Sequence, residues 1–327
     1  MSTLAMHALP YPAIIEGLTV RCPRCTGPLV KVTEDRPTLT CIECHFPMEY
    51  TDGIWHALPI ERATYYARFI RDYEAIREAE GRGSRDGSYY LSLPMVDRSA
   101  KNAEQWRIRA TTYEFLLKNI LPRIRASSQS HPRVLDIGAG NGWLSYRLSQ
   151  TGLRPVAIDL LINEMDGLGA AAHYDRHLPQ PFLRVRAEST RVPFTDGQFD
   201  AVIFNASFHY AESYERTLRE ALRCLRTGGL LIIADSPWYS REESGGLMIA
   251  ERRTHFFNRF GTFSDSIRSQ EFLTDQRLEQ LALKFSLEWE RHNPFYGFHW
   301  LFRPLRAKLK NQREPSRFCI FTAKKPA

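Results

Sequence analysis

The sequence predicts an α/β protein: a mostly parallel sheet covered by helices on both faces, with a small cysteine-rich unit ahead of it. Three observations carry this expectation. Strand-like and helix-like segments alternate from 133 to 235, the pattern of a parallel sheet, whose crossovers return over the sheet face. Four of the six cysteines fall together as Cys22, Cys25, Cys41 and Cys44. The chain has 327 residues, 43% of them apolar, enough for a large core with an appendage and too many for wholesale disorder.

The cysteine-rich unit spans 18–58. Cys22-Pro-Arg-Cys25 and Cys41-Ile-Glu-Cys44 are separated by fifteen residues, a spacing at which two knuckles present four thiolates to one zinc ion. The two-residue gap turns both sulfurs of a pair toward one centre, and a metal stabilises a unit too small to bury enough apolar surface unaided. Disulfides and coincidental reduced cysteines are the competing readings; a chain start without the basic and apolar blocks of a secretion signal disfavours the first, and the doubled two-residue spacing the second. Four thiolates fill the coordination sphere, so the expected zinc is structural. There is no run of eighteen apolar residues, and the expectation is a cytoplasmic protein without a membrane segment.

Residues 59–99 read as a helix and linker. Tyr66, Phe69, Ile70, Tyr73 and Ile76 recur at helical spacing, giving an amphipathic helix that stops at Gly81 and the polar GRGSRDGS stretch. The third region, 100–327, opens with a helical pattern through Trp106, Tyr113 and Ile120 and continues into the alternating segments RVLDI, PVAID, FLRVRA, FDAVIFN and LLIIADS. An aromatic and basic insertion, 238–270, precedes a helix over 274–285 and two late strands. The formal charge is +7, and from Arg291 onward nine Lys or Arg face one Glu. Arg303, Arg306, Lys308 and Lys310 could contact phosphates, or form a solvated edge.

The most informative segment is Val134-Leu-Asp136-Ile-Gly138-Ala-Gly140-Asn-Gly142-Trp143. A dinucleotide fingerprint would place glycine at 143, and Asp136 would repel a pyrophosphate. Neither objection applies to a ligand with a sulfonium, an ammonium and no phosphate. Asp159, at the end of the next strand, is placed to accept hydrogen bonds from two ribose hydroxyls.

With Pro193-Phe194-Thr-Asp-Gly197-Gln-Phe199-Asp200 and Leu225-Arg-Thr-Gly228-Gly229 following in order, residues 133–235 resemble the class I S-adenosylmethionine-dependent methyltransferases, in particular the type 11-like subgroup. The resemblance implies a Rossmann-like sheet and S-adenosyl-L-methionine as cofactor. It implies that Asp136, Gly138 and Gly140 line the methionine end and that Asp159 binds the ribose. Leu160 would pack on the adenine, Glu188 meet its amino group and Ser189 offer an amide to a ring nitrogen. Asn205 would lie near the methyl group or the methionine carboxylate. His209 and Tyr210 would fall near the reaction centre, where either could take a proton. The 22–54 stretch resembles the zinc-ribbon activator subunits of some methyltransferases.

Two nucleic-acid signatures are absent, the Asn/Asp-Pro-Pro-Tyr/Phe motif and a suitably placed Pro-Cys nucleophile. The leading expectation is therefore a small-molecule acceptor. Its pocket would be roofed by the Trp106 helix and by Arg252, Arg253, Phe256, Phe257, Arg259, Phe260 and Phe263, with Tyr89 and Tyr90 in a lid. The alternatives are an RNA methyltransferase gripping phosphates with ribbon and basic tail, and a cofactor-binding scaffold without activity.

Overall fold

A computed structural model describes residues 13–33, 37–127 and 131–326. The cysteine-rich unit is an antiparallel meander of β1 (Leu29–Thr33), β2 (Thr38–Cys41), β3 (Pro47–Thr51) and β4 (Ile54–His56). Its two knuckles repeat one hydrogen-bond pattern. Cys22 N–H donates to the Gly27 carbonyl and Thr26 N–H to that of Cys22, both at 2.9 Å; Cys41 N–H donates to Phe46 and His45 N–H to Cys41, both at 3.0 Å. Thr26 and His45, each just after the second cysteine of a pair, take left-handed backbone with φ of 68° and 57°. The equivalent turns bring the two sulfur pairs together.

The main sheet contains β5 (Arg133–Ile137), β6 (Arg154–Asp159), β7 (Leu183–Arg186), β8 (Phe199–Asn205), β9 (Leu225–Ala234), β10 (Glu290–His292) and β11 (Ile320–Lys324). Their order is β7-β6-β5-β8-β9-β11-β10, with β11 antiparallel to β9 and the central strands parallel. The strand order reverses between β5 and β8, where a doubly wound sheet opens its ligand crevice. The central strands are buried on both faces, which is why FDAVIFN and LLIIA read as nearly unbroken apolar runs instead of alternating ones.

The cysteine-rich unit is hydrogen-bonded to this sheet. Trp55 and His56 of β4 pair in parallel with Val185 and Arg186 of β7, so one sheet of eleven strands runs from ribbon to C-terminal edge.

Seven helices are used below: α1 (Ile60–Ala79), α2 (Ala103–Phe115), α3 (Trp143–Gln150), α4 (Tyr214–Cys224), α5 (Glu242–Phe260), α6 (Asp275–Phe285) and α7 (Arg303–Leu309). Ser213 and Thr274 cap α4 and α6, each side chain accepting an N–H three residues on at 3.3 Å. On one face Leu218 and Ala221 of α4 pack with Leu278 and Leu281 of α6; on the other, Trp106 and Tyr113 of α2 pack with Trp143 and Leu144 of α3. Each fully buried leucine or phenylalanine contributes about 2 kcal/mol relative to exposure. The α2 helix continues through a π-helical stretch, Leu116–Ile120, into a short helix whose first turn holds Pro122.

Two features position the site. The α1 helix lies over the C-terminal ends of the strands, where Tyr66 and Phe69 cluster with Leu58 and Ile267 against Leu160 and Tyr210. Tyr89 and Tyr90 correct an expectation: both are core residues, and the Tyr90 hydroxyl bonds the Ser84 and Met165 carbonyls at 2.8 Å. Buried on a fixed network, they cannot serve as a lid. Among the described residues, no helix is long and apolar enough to cross a membrane.

Candidate functional site

A cavity of about 320 Å³ lies at the C-terminal ends of β5, β6, β7 and β8 under α1. Its floor is the glycine turn after β5, where the N–H groups of Gly138 and Ala139 both donate to the Ile158 carbonyl, at 2.9 and 3.1 Å. Gly138 has φ of 75°, and a Cβ there would come within 2.3 Å of the Ser207 Cβ. Only glycine lets the turn pass under the loop after β8.

Asp159 ends β6 in the cavity wall. One carboxylate oxygen accepts from Gly140 N–H and the other from Leu161 N–H, each at 2.8 Å. Lone pairs remain on both for a ligand. Burial raises its pKa to about 6 against the pull of these amides.

The remaining expected residues divide into groups. Gly138, Gly140, Leu160, Ser189, Asn205 and Tyr210 line the same cavity as Asp159. Asn205, at the end of β8, has a buried side-chain oxygen without a hydrogen-bond partner. Asp136 does not line it. Strand alternation turns its side chain under α3, where it is 1% exposed and accepts from the Ser145 hydroxyl at 2.8 Å. Burial first, then the Asp159 charge, raises its pKa to about 7.

Glu188 also lines the cavity, with its carboxylate already engaged. It is 2% exposed and receives Arg62 Nε and Nη2 at 2.9 and 2.7 Å and the Tyr66 hydroxyl at 3.0 Å, with Arg191 at 3.2 Å. In this structure Glu188 ties the roof helix to the strand ends.

A second cavity, of about 520 Å³, adjoins the first and shares Phe69, Tyr73, Arg77, Arg82, Arg109 and Tyr210 with it. His209 lies here and not in the first cavity. Burial, then the Arg252, Arg77 and Arg109 charges, lower its pKa to about 3. Of the expected aromatic roof, Phe256 and Arg252 reach this cavity. Phe257 and Phe263 instead stack on one another, 51% and 40% exposed.

The sequence reading missed Asp235. It follows β9, with φ of 51°, and is 6% exposed. The Thr112 hydroxyl donates to its Oδ1 at 2.6 Å and lies 2.9 Å from the Tyr296 hydroxyl. Having spent its one proton on Asp235, Thr112 accepts from Tyr296. Asp235 Oδ2 is buried without a partner in the second cavity, and burial raises the group's pKa to about 6. An apolar strand ending in an acid marks Asp235 in LLIIADS as it marks Asp159 in PVAID.

The four clustered cysteines offer sulfur atoms within 4.8 Å of one another, with Cys22–Cys44 at 3.5 Å and Cys25–Cys41 at 3.4 Å. Four zinc–sulfur bonds of about 2.3 Å in a tetrahedron put the sulfurs about 3.8 Å apart. The donor set and its spacing fit that ion.

Residues 135–233 match the family described as "Methyltransferase domain". The fold is a Rossmann-like class I methyltransferase sheet. The match holds most of β5, all of α3, β6, β7, β8 and α4, and nearly all of β9, the strand side of the first cavity; the roof helix α1 lies outside it. Among curated proteins the chain is similar to an uncharacterized methyltransferase of Mycobacterium tuberculosis, 36% identical over 35% of this chain and 42% of that one. It is similar to a demethylmenaquinone methyltransferase of Beutenbergia cavernae, 35% identical over 32% and 42%. A malonyl-[acyl-carrier protein] O-methyltransferase of Geobacter sulfurreducens is 27% identical over 43% and 54%. The chain thus spans about half the length of these relatives. Solved structures similar to it include the Haemonchus contortus phosphoethanolamine N-methyltransferase 2 with S-adenosyl-L-methionine, at TM-score 0.45 and 16% identity, covering 64% of this chain and 51% of that one. The complex of the Haloferax volcanii Trm112 methyltransferase activator with a methyltransferase gives 0.42 and 16%, covering 68% and 97%.

Proposed function

We propose that the protein is an S-adenosylmethionine-dependent methyltransferase acting on a small molecule, with a structural zinc ion in its ribbon. One observation carries the reading: the first cavity joins a glycine turn, a carboxylate with free lone pairs and an unpartnered amide oxygen directly to a second cavity. The residues fit the cofactor. Asp159 would take the ribose hydroxyls, Leu160 and Ser189 the adenine, and the Asn205 oxygen the methionine ammonium. Arg109 has no hydrogen bond or ion pair among the described residues and lies where both cavities meet; it would take the methionine carboxylate. Asp136 acts from beneath the turn, where its negative charge favours the cationic end of the ligand.

The cofactor supplies a methyl group activated by its sulfonium. The chain supplies alignment and the exclusion of water, the latter by α1 closing over the strand ends. It also supplies a proton acceptor. His209, lowered to about 3, stays a neutral and weak base, whereas Asp235 lines the second cavity, has its Oδ2 buried without a partner and is raised to about 6. Asp235 is therefore the base, Tyr210 shapes the passage between cavities, and Cys22, Cys25, Cys41 and Cys44 hold zinc without an open position for catalysis.

A second cavity of about 520 Å³ is of the size that receives a small acceptor. Part of the basic tail is also paired internally: Arg313 with Glu251 at 2.7 Å, Arg317 with Glu314 at 3.3 Å, and Arg291 with Asp275. The acceptors in the relatives' names, demethylmenaquinone and malonyl-[acyl-carrier protein], are not nucleic acids.

Calorimetric titration with S-adenosylmethionine, run alongside Asp159→Ala, tests the reading. Binding in the micromolar range that the substitution abolishes is expected. A folded wild-type protein that binds neither S-adenosylmethionine nor S-adenosylhomocysteine overturns it.

A further inference from the structure

The second cavity has a charge pattern that the cofactor does not use. Three of its arginines have carboxylate partners: Arg252 pairs with Glu271, Arg82 with Glu80 at 2.7 Å, and Arg77 with Glu80 at 3.3 Å and Asp166 at 3.7 Å. Arg303 has neither an ion pair nor a hydrogen bond among the described residues, and its Nη1 is buried without a partner. The first cavity touches neither Arg303 nor Arg252, whereas Arg77, Arg82 and Arg109 line both; of the two, Arg252 is already paired with Glu271.

Its setting is specific. The guanidinium carbon lies 3.9 Å from the centroid of the Trp300 ring, and Trp300 lies 5.5 Å from Phe318 across a tilt of 41°. Stacking on an aromatic face fixes the guanidinium plane and leaves its donor fork free, an arrangement that recognises planar oxyanions. Burial lowers its pKa, as expected of a cation short of a counter-ion. At the seam, Asp235 follows Ala234, whose carbonyl accepts from Ala206 N–H at 2.9 Å, and Ala206 lines both cavities. The second cavity therefore combines an acceptor-only carboxylate oxygen beside the cofactor site, walls including Phe256, Trp300 and Phe318, and a cation remote from that site.

We propose that this cavity is the acceptor chamber and that the acceptor is an organic anion: a flat apolar body whose carboxylate or phosphate is received by Arg303 and whose hydroxyl or amine faces Asp235. The inference rests on the methyltransferase reading. In the transfer, the acceptor O–H or N–H gives its proton to Asp235 Oδ2 as its oxygen or nitrogen forms the bond to the methyl carbon. The carbon–sulfur bond breaks with its electron pair staying on sulfur, so a sulfonium becomes a neutral thioether. One cation at a fixed distance from the nucleophile selects among acceptors by where they carry their charge.

The full chain, saturated with S-adenosylhomocysteine, is titrated calorimetrically with 4-hydroxybenzoate, indole-3-acetate and phenyl phosphate, and with uncharged 4-hydroxybenzamide. At least one anion is expected to bind below about 1 mM, with the amide at least about tenfold weaker, the loss of one charge-assisted contact. Arg303→Gln should weaken that anion by about tenfold or more and leave S-adenosylhomocysteine affinity unchanged; Arg303→Lys, which keeps the charge but loses the stacked planar fork, should weaken it less than Arg303→Gln does. Preference for phenyl phosphate or for the carboxylates identifies the oxyanion. No anion binding up to about 5 mM in protein that binds S-adenosylhomocysteine, equal binding of the amide, or indifference to Arg303→Gln overturns the proposal. Failure of S-adenosylhomocysteine to bind is a separate outcome that removes the methyltransferase reading. The same anion titration without it still shows whether Arg303 receives an oxyanion.

Discussion

Arg62, in the first turn of α1, closes a bidentate ion pair on Glu188, with Nε and Nη2 at 2.9 and 2.7 Å from its carboxylate oxygens. Glu188 is almost wholly buried at the cavity wall, so the pair bolts the roof to the strand ends. Arg62→Gln leaves Tyr66, Thr190 and the half-exposed Arg191 as remaining donors. Breaking a buried pair outright costs about 3–5 kcal/mol; with those donors kept, a loss of about 2 kcal/mol is expected. The melting temperature should drop, and cofactor affinity should fall about tenfold as α1 loosens. An unchanged affinity, measured by calorimetry, would mean that α1 does not roof the bound cofactor.

Removing the metal should reach the same cavity by another route. Arg24, inside the first knuckle, pairs bidentately with Glu61 of α1 at 2.9 Å, and β4 is paired with β7, which leads to Glu188. Being exposed, the Arg24–Glu61 pair alone contributes little. The larger effect comes from the ribbon's fold, which needs the thiolates gathered. Stripping zinc with a chelator, or Cys41→Ser, should therefore lower the melting temperature and weaken cofactor binding together. Release of one zinc per chain is the colorimetric control. Metal-free protein with full stability and affinity would contradict the coupling.

Gly138→Ala adds a Cβ where φ is 75° and Ser207 Cβ would lie at 2.3 Å. The left-handed backbone costs an alanine about 1–2 kcal/mol and the clash adds to it. Cofactor binding should be lost. Adding Ser207→Gly removes the clash but not the backbone cost, so the double variant should recover part of the stability; a double variant no better than the single would show that the turn itself, not the overlying loop, sets the requirement.

These residues also show which features local sequence could reveal. The glycine turn, Asp159 and the paired cysteines were legible because each depends on neighbours within one strand–turn–helix or one knuckle. What α1 covers was not: its apolar stripe, Tyr66 to Ile76, announces a buried face without saying which one. The β4–β7 pairing was hidden for the same reason, since Trp55 and Val185 are far apart in sequence and parallel pairing leaves no hairpin signal. His209 illustrates the electrostatic version. Its residue type suggests a base, but its charge is suppressed first by burial and then by arginines from three distant helices, α1, α2 and α5. Asp235 could have been read from LLIIADS, by the pattern already applied to Asp159.

Asp136 offers a test of burial through pH. Its pKa is raised from an ordinary value near 4 to about 7, so the folded protein holds this proton more tightly than the unfolded chain. The stability that proton contributes is fully present below about pH 4 and is lost as pH rises toward 7, because the unfolded carboxyl ionises freely while the buried one resists. Asp136→Asn removes the titration and can keep the Ser145 contact through its side-chain oxygen. Other carboxylates titrate in the same range, so the informative quantity is the difference between variant and wild type. The melting-temperature advantage of Asp136→Asn should grow between about pH 4 and pH 7 and level off above it, at roughly 2 °C per kcal/mol for a chain of this size. Cofactor affinity at pH 7.5 should move the other way, because the variant lacks the negative charge beneath the glycine turn that favours a cationic ligand. A stability difference that does not change with pH would mean that Asp136 is ionised in the folded protein throughout, and that solvent reaches it behind the turn.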